Sequence, residues 1–312
     1  MPDNPLNDEL HETMSRFKAA TNATPIELPE IKKPGKVLVV FDQSNQDEFT
    51  AAVGAQVCRW YGATGVLTLP KPGMDVESRR QHLEAMQAKM EGANCEIAPI
   101  QDDEDPADRI IDAMNAAKAE FIVMDAPWGE DITKLGRDSV GSTAERVLAR
   151  ATIPVLFTRE PQPDVTALFN NPLVKLHVRQ QEAPKSLATA FSLCGARSSF
   201  HVLFVVDAAA MAEAMALLGH EVDKSKLTDA ALVADAQAAA GSLVAAAQHW
   251  AADNSANLDV EFKIGSDPDV TARHANDGQH LLVIPCPADR NSSAYSRALT
   301  VLRLSSVPVL MV

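Results

Sequence analysis

FIVMDAPWGEDITKLGRDSVGSTAERVLARATIPVLFTR, residues 121–159, reads as strand, loop, helix, strand. Phe121–Met124 is a short apolar run ended by the turn-prone Ala126-Pro127-Trp128-Gly129, and Val155–Phe157 is a second such run. Both fit buried strands of a parallel sheet. Between them Ala144, Val147, Leu148 and Ala151 recur at three- and four-residue steps, so Ser142–Arg150 is expected to be a helix with one face against that sheet. Gly141-Ser142-Thr143 then sits where loop becomes helix. Free backbone N–H groups, short hydroxyls and the positive end of the helix dipole meet there, which suits an anion.

Working outward, residues 1–35 form an extension in which Asp8–Ala19 reads as a short amphipathic helix and Pro25, Pro29 and Pro34 keep the chain extended. Packing on the surface is its expected role. From Lys36 strand and helix alternate: strands at Val37–Phe41, Gly65–Leu69 and Cys95–Ile100, helices at about Asp47–Tyr61, Glu77–Glu91 and Pro106–Ala117. With residues 121–159 this makes five strands and four helices. Pro161, Pro163 and Pro172 mark a boundary. The chain beyond that boundary repeats the order: Asp267-Pro268 and Leu281–Ile284 echo Asp105-Pro106 and Phe121–Met124, and Ala298, Val301, Leu302 and Pro308-Val309-Leu310 echo Ala144, Val147, Leu148 and Pro154-Val155-Leu156. Upstream, strands are expected at Val174–Val178, Phe200–Val206 and Leu258–Ile264, and helices at Pro184–Leu193 and Ala230–Ala252.

An apolar strand, a glycine-containing loop, Gly-Ser, a helix and a Pro-Val-Leu strand resemble the end of a universal stress protein domain, and the repeat resembles a tandem member of that family. In the family the loop runs Gly, two residues, Gly, nine residues, then Gly-Ser or Gly-Thr. Here Ala126 stands for the first glycine, Gly129 for the second, and eleven residues precede Gly141. The resemblance implies an α/β fold: two tandem doubly wound, five-stranded, mostly parallel sheets joined through their last strands as an intramolecular pseudo-dimer. The domains would be residues 36–160 and 173–312, the second degenerate, with residues 161–172 as linker. It also implies an adenine nucleotide as ligand, AMP or ATP, the latter with Mg²⁺. Asp42 would lie beside the base or ribose, and Gly129, Gly141, Ser142 and Thr143 around the phosphates. The second half is expected to bind none, because Tyr295 falls at Gly141, Arg179 at Asp42, and Pro285-Cys286-Pro287 at the glycine loop.

Each of these positions also has a plain structural reading. Asp42 ends the first strand, where a carboxylate points into the crevice of such sheets, or serves as a cap or loop carboxylate. Val66–Leu69 suits a wall under a base or ordinary core. Ser142 and Glu145 read equally as a capping box. Asp102-Asp103-Glu104-Asp105 could gather a cation, but directly before Pro106 it reads better as the start of a helix. Asp125, Glu130 and Asp131 would repel a polyphosphate unless Lys134, Arg137 or Mg²⁺ compensates. Trp128 covers a ligand or pins the loop.

Composition bounds the rest. At 312 residues and 46% hydrophobic the chain can supply two cores. A net charge of −14 argues against nucleic acid and anionic membrane as partners. Cys58, Cys95, Cys194 and Cys286 are scattered and read as reduced thiols, and no apolar run approaches the ~20 residues of a membrane span. A cytoplasmic protein is expected. The histidines are dispersed, no nucleophile elbow, Walker loop or metal spacing is present, and no enzymatic activity is expected. The function implied is a stress-response binding or signalling module; the rival is a scaffold that has lost its ligand. Homodimers of whole chains fit either.

Overall fold

The computed structural model of the chain describes residues 25–100, 105–128, 140–177, 182–193, 198–208 and 228–312. Among these residues ten strands build one sheet in the order β3-β2-β1-β4-β5-β10-β9-β6-β7-β8. In the first half these are β1 Lys36–Val40, β2 Thr64–Thr68, β3 Asn94–Ile97, β4 Phe121–Asp125 and β5 Val155–Thr158. In the second they are β6 Pro172–Leu176, β7 Ser199–Val206, β8 Asn257–Ile264, β9 Leu281–Ile284 and β10 Val309–Met311. The order 3-2-1-4-5 recurs as 8-7-6-9-10. Among the described residues every pairing is parallel except the one that joins the halves, where Val309, Leu310 and Met311 run antiparallel to Phe157, Leu156 and Val155. That is the expected pseudo-dimer seam: two final strands bury each other's edge instead of leaving it open to another chain.

The helices follow the apolar periodicity. In the first half α1 Asp47–Tyr61, α2 Val76–Lys89, α3 Pro106–Ala117 and α4 Ser142–Arg150 alternate with the strands. Both faces of the sheet are covered, by α1 and α2 on one side and α3 and α4 on the other, which is why Leu38, Val39, Ile122 and Val123 are wholly buried on alternate sides. In the second half lie α6 Ala183–Leu193, α7 Asp229–Asn254, α8 Asp267–Gly278 and α9 Ser293–Leu304. Trp60 Nε1 donates to Ser192 O at 2.9 Å and the Tyr61 hydroxyl meets Ser192 Oγ at 2.9 Å, so α1 and α6 lock across the halves. Of the extension, Ile26 and Leu28 pack against the core and Gly35 N–H donates to Glu120 at 2.7 Å; residues 1–24 lie outside the described residues.

Several expectations need correction. The segment expected as linker carries a helix, α5 Val165–Asn170, started by Asp164 accepting from Ala167 N–H at 3.0 Å. The strand expected at Val174–Val178 is Pro172–Leu176, and β6 meets Leu281 at Pro172 just as β1 meets Phe121 at Val37. Counting on from that register puts His177, not Arg179, at the position of Asp42; Arg179 lies outside the described residues. Tyr295 does fall at Gly141 by sequence offset, but α9 begins earlier than α4, so Tyr295 is already inside a helix capped by Ser292. Finally, the 26-residue α7 is long and apolar enough to cross a membrane by length and composition. It packs on β7 and β8 through Ala240, Leu243 and Ala247 as a core helix.

Candidate functional site

The crevice lies where the chain, having laid β2 and β3 to one side of β1, crosses to place β4 on the other. Loops leaving the carboxyl ends of β1 and β4 diverge there, which is where open parallel sheets form ligand sites. Among the described residues each of the two strands delivers a carboxylate to this point: Asp42, just past β1, and Asp125, the last residue of β4.

Asp42 is 1% exposed, so the carboxylate expected at the surface of the crevice is instead inside it. The turn Asp42–Asp47 wraps on itself to hold it. Ser44 N–H donates to Asp42 Oδ1 at 2.8 Å, and Asp47 accepts from the N–H groups of Asp42 and Gln43 at 3.2 and 3.0 Å. Gln43 adopts φ +66°, a conformation non-glycine residues seldom take, which is what such a tight wrap demands. Lys71 Nζ donates to the Asp42 carbonyl at 2.9 Å and His82 Nε2 meets Asp47 Oδ2 at 2.5 Å. Ser44 Oγ reaches Asp125 Oδ2 at 3.5 Å. Carboxylate oxygens of Asp42, Asp47 and Asp125 all lie within 4.8 Å of one another. Burial, and next the Asp42 charge, raise Asp47 to about 6 against the partial offset of His82. The same two causes, in the same order, push fully buried Asp125 well above the ordinary carboxylate range.

At the other end of the crevice Gly141 is the N-cap of α4, with φ +78° and no side-chain cap. The capping box is therefore not formed. Ser142 is exposed, and Glu145 turns away to pair with Arg303 of α9. Gly141 is favoured by its backbone, whose φ of +78° lies where residues with a side chain are strained, while a Cβ there would reach only contact distance, 3.4 Å, from Pro127 Cβ and the Trp128 backbone nitrogen. Trp128 is buried in the core with the sheet and so pins the loop. Gly129, Glu130, Asp131, Lys134 and Arg137 lie outside the described residues, as do Asp102, Asp103 and Glu104. Asp105 caps α3 through Ala107 N–H at 3.0 Å and pairs with Arg146.

The matching crevice of the second half is filled differently. Asp267, 1% exposed, accepts from Lys175 Nζ at 2.7 Å, His177 Nε2 at 3.0 Å and Thr271 Oγ1 at 3.2 Å. Burial alone would raise its pKa, but His177 and Lys175 outweigh that and hold it well below the ordinary range. One half thus gathers acids where the other closes the space with an ion pair.

Two features escape a reading of the sequence. Asp125 reads there as a loop residue, although a strand ending one residue later places it beside Asp42. Arg159 gives no signal at all. It is fully buried, with Nε donating to Ser305 O at 2.9 Å and its terminal nitrogens to Ala126 O and Arg303 O at 2.7 and 3.1 Å. It ties the loop after β4 to the end of α9. Among the described residues Cys58, Cys95 and Cys286 are free thiols, and burial pushes Cys58 up to about 12.

No match is found among curated proteins. Solved structures share the fold across both halves. A functionally unknown protein from Pseudomonas aeruginosa PAO1 aligns over 89% of this chain and 92% of its own, with TM-score 0.62 and 16% identity. A universal stress protein from Archaeoglobus fulgidus DSM 4304 aligns over 90% and 97%, with TM-score 0.57 and 16% identity. At such identity the likeness is one of fold. The Universal stress protein family model matches residues 34–159, which span the first half of this chain.

Proposed function

We propose that the protein is a cytoplasmic stress-response binding and signalling module whose first half holds an adenine nucleotide weakly, phosphates at Gly141, Ser142 and Thr143. The observation that carries this reading is the start of α4: a helix N-terminus whose N-cap is glycine and whose first residue, Ser142, is exposed, at the switch point of a parallel sheet. Gly129 would complete the phosphate loop. Asp42 is buried, so contact with base or ribose requires the 42–47 turn to open, which lowers affinity. Losing even two charge-assisted hydrogen bonds at roughly 1.5–3 kcal/mol each moves a micromolar site toward millimolar. The buried acids oppose added phosphate charge, so AMP should bind better than metal-free ATP.

Calorimetric titration of AMP in chelator-treated buffer tests this, with Ser142→Glu as the comparison. A carboxylate at the first helical position favours the helix dipole yet repels a phosphate, so the variant should fold and lose AMP by at least tenfold. If millimolar AMP gives no heat, or the variant binds unchanged, the second reading holds. That reading is a scaffold acting through its surfaces, and it is supported by the second crevice, where Lys175 and His177 occupy on Asp267 the space a ligand would need.

A further inference from the structure

We infer that Asp42, Asp47 and Asp125 form a binding site for a hard divalent cation at the carboxyl ends of β1 and β4. The three residues come from two strand ends and the start of α1, and each offers an oxygen within 4.8 Å of the others. Two oxygens bound to one ion at about 2.4 Å, the usual Ca²⁺ distance, stand at most ~4.8 Å apart; for Mg²⁺ or Mn²⁺ at about 2.1 Å the limit is nearer 4.2 Å. Three oxygens spread evenly about one ion stand closer than that pairwise limit, so Ca²⁺ binds with a small contraction of the cluster and the smaller ions with a larger one.

Proximity of acids does not by itself make a site, since surface carboxylates cluster freely in water. Here two further observations point to a missing ligand. Asp125 is wholly buried, and its Oδ1 has no hydrogen-bond partner. A bare carboxylate oxygen in the interior is expensive unless something positive or protic meets it, and this one belongs to a side chain whose carboxylate faces two others. In the same turn Gln46, 1% exposed, has neither its Oε1 nor its Nε2 partnered, which leaves a neutral oxygen of the kind that completes a hard-cation shell.

The surroundings resemble an outer shell. His82 meets Asp47 Oδ2, and the N–H groups of Asp42, Gln43 and Ser44 fix the orientations of Asp47 and Asp42. Such partners aim coordinating oxygens. Lys71, among the described residues, donates to the Asp42 carbonyl and not to a carboxylate, so it does not take the ion's place. Access is short: Gln43 and Asn45 are exposed and Ser44 half-buried, so only the 43–45 turn separates the cluster from water.

The test uses the full chain with no nucleotide present, so its failure leaves the nucleotide reading standing, and failure of that reading leaves this one standing. Thermal melts at pH 7.5 are run against CaCl₂, MgCl₂ and MnCl₂, and Mn²⁺ binding is counted by loss of the free-ion paramagnetic resonance signal. The expected result is one bound Mn²⁺ per chain, displaced by Ca²⁺, and a Tm that climbs with the logarithm of ion concentration. Asp125→Asn keeps the volume and removes the bare charge. It should fold, melt no lower than the metal-free parent, and lose affinity by more than the 10–100-fold that outer partners are worth. Should that variant fail to fold, Asp42→Asn gives the same readout. No bound Mn²⁺ with flat melts at 10 mM of each ion would overturn the inference, as would binding that survives the asparagine substitution unchanged.

Discussion

Replacing Arg159 should separate the two halves of the molecule energetically. Its guanidinium is completely buried and donates to three carbonyls, Ser305 O, Ala126 O and Arg303 O. Two of these belong to the second half and one to the loop after β4. Hydrogen bonds from a charged donor contribute roughly 1.5–3 kcal/mol each, so Arg159→Leu forfeits a gross ~4.5–9 kcal/mol. Burying the cation itself costs several kcal/mol, which leucine recovers. The net expected loss is about 3–5 kcal/mol, at the exceptional end for a single substitution. Arg159→Lys should cost about 2–3 kcal/mol, because one ammonium cannot reach three acceptors set around a planar fork. Urea unfolding followed by both tryptophan fluorescence and circular dichroism measures this. The parent is expected to unfold in one step across the continuous sheet, and Arg159→Leu at a lower midpoint with the two probes no longer coincident. A loss under 1 kcal/mol with coincident curves would refute the staple.

The seam gives a second test. Leu310 is wholly buried opposite Leu156, so Leu310→Asp should lower stability by at least 4 kcal/mol and expose the β5 edge, seen as aggregation in light scattering; a soluble variant of parental stability would exclude the pairing. In the second crevice, Asp267→Asn leaves Lys175, 6% exposed, without its anion and should cost about 3–5 kcal/mol, most of it restored by adding Lys175→Met; no restoration in the double variant would mean that Asp267 acts through Thr271 instead. The pH profile should show His280. Burial first, then the neighbouring His201 and His274, lower its pKa from 6.5 to about 4, against the raising effect of its bond to Asn171 O and of Glu261. The folded state therefore keeps a neutral ring where the unfolded chain takes a proton: its stability is present above pH 6.5 and is lost as pH falls toward 4, by a ceiling of roughly 3 kcal/mol. Asp47 works the other way, its contribution being present below 3.8 and lost as pH rises through about 6. His280→Gln isolates the first effect, and an unchanged midpoint ratio between pH 7 and pH 4.5 in parent and variant would remove it.

How much of the molecule is legible in its sequence depends on whether local pattern or remote pairing decides each feature. Helices α1, α3 and α4 fall where apolar periodicity places them, joined at α3 by the Asp105 cap before Pro106, because both signals act within a few residues. The antiparallel seam is legible for a different reason: an apolar final strand with no partner of its own has to find one. The errors share a cause. Sequence alone starts β6 too late since its apolar run continues through Leu176 toward Val178, and only pairing with β9 fixes where it starts. That slip exchanges His177 for Arg179 and hides the ion pair with Asp267. Asp42, Asp47 and Asp125 are each visible, yet their meeting rests on β1 and β4 being neighbours in register, Val40 beside Met124. The next residues along the two strands then bring acids together that lie far apart in the chain. The same register in the second half pairs Val174 with Val283, and one step on the chain offers Lys175 and His177 toward Asp267. The two halves thus use one backbone frame with opposite charge at the switch point. Where the second half closes an ion pair, the first leaves a buried Asp125 oxygen without a partner, so its acids answer to what they bind and not to a pairing within the fold.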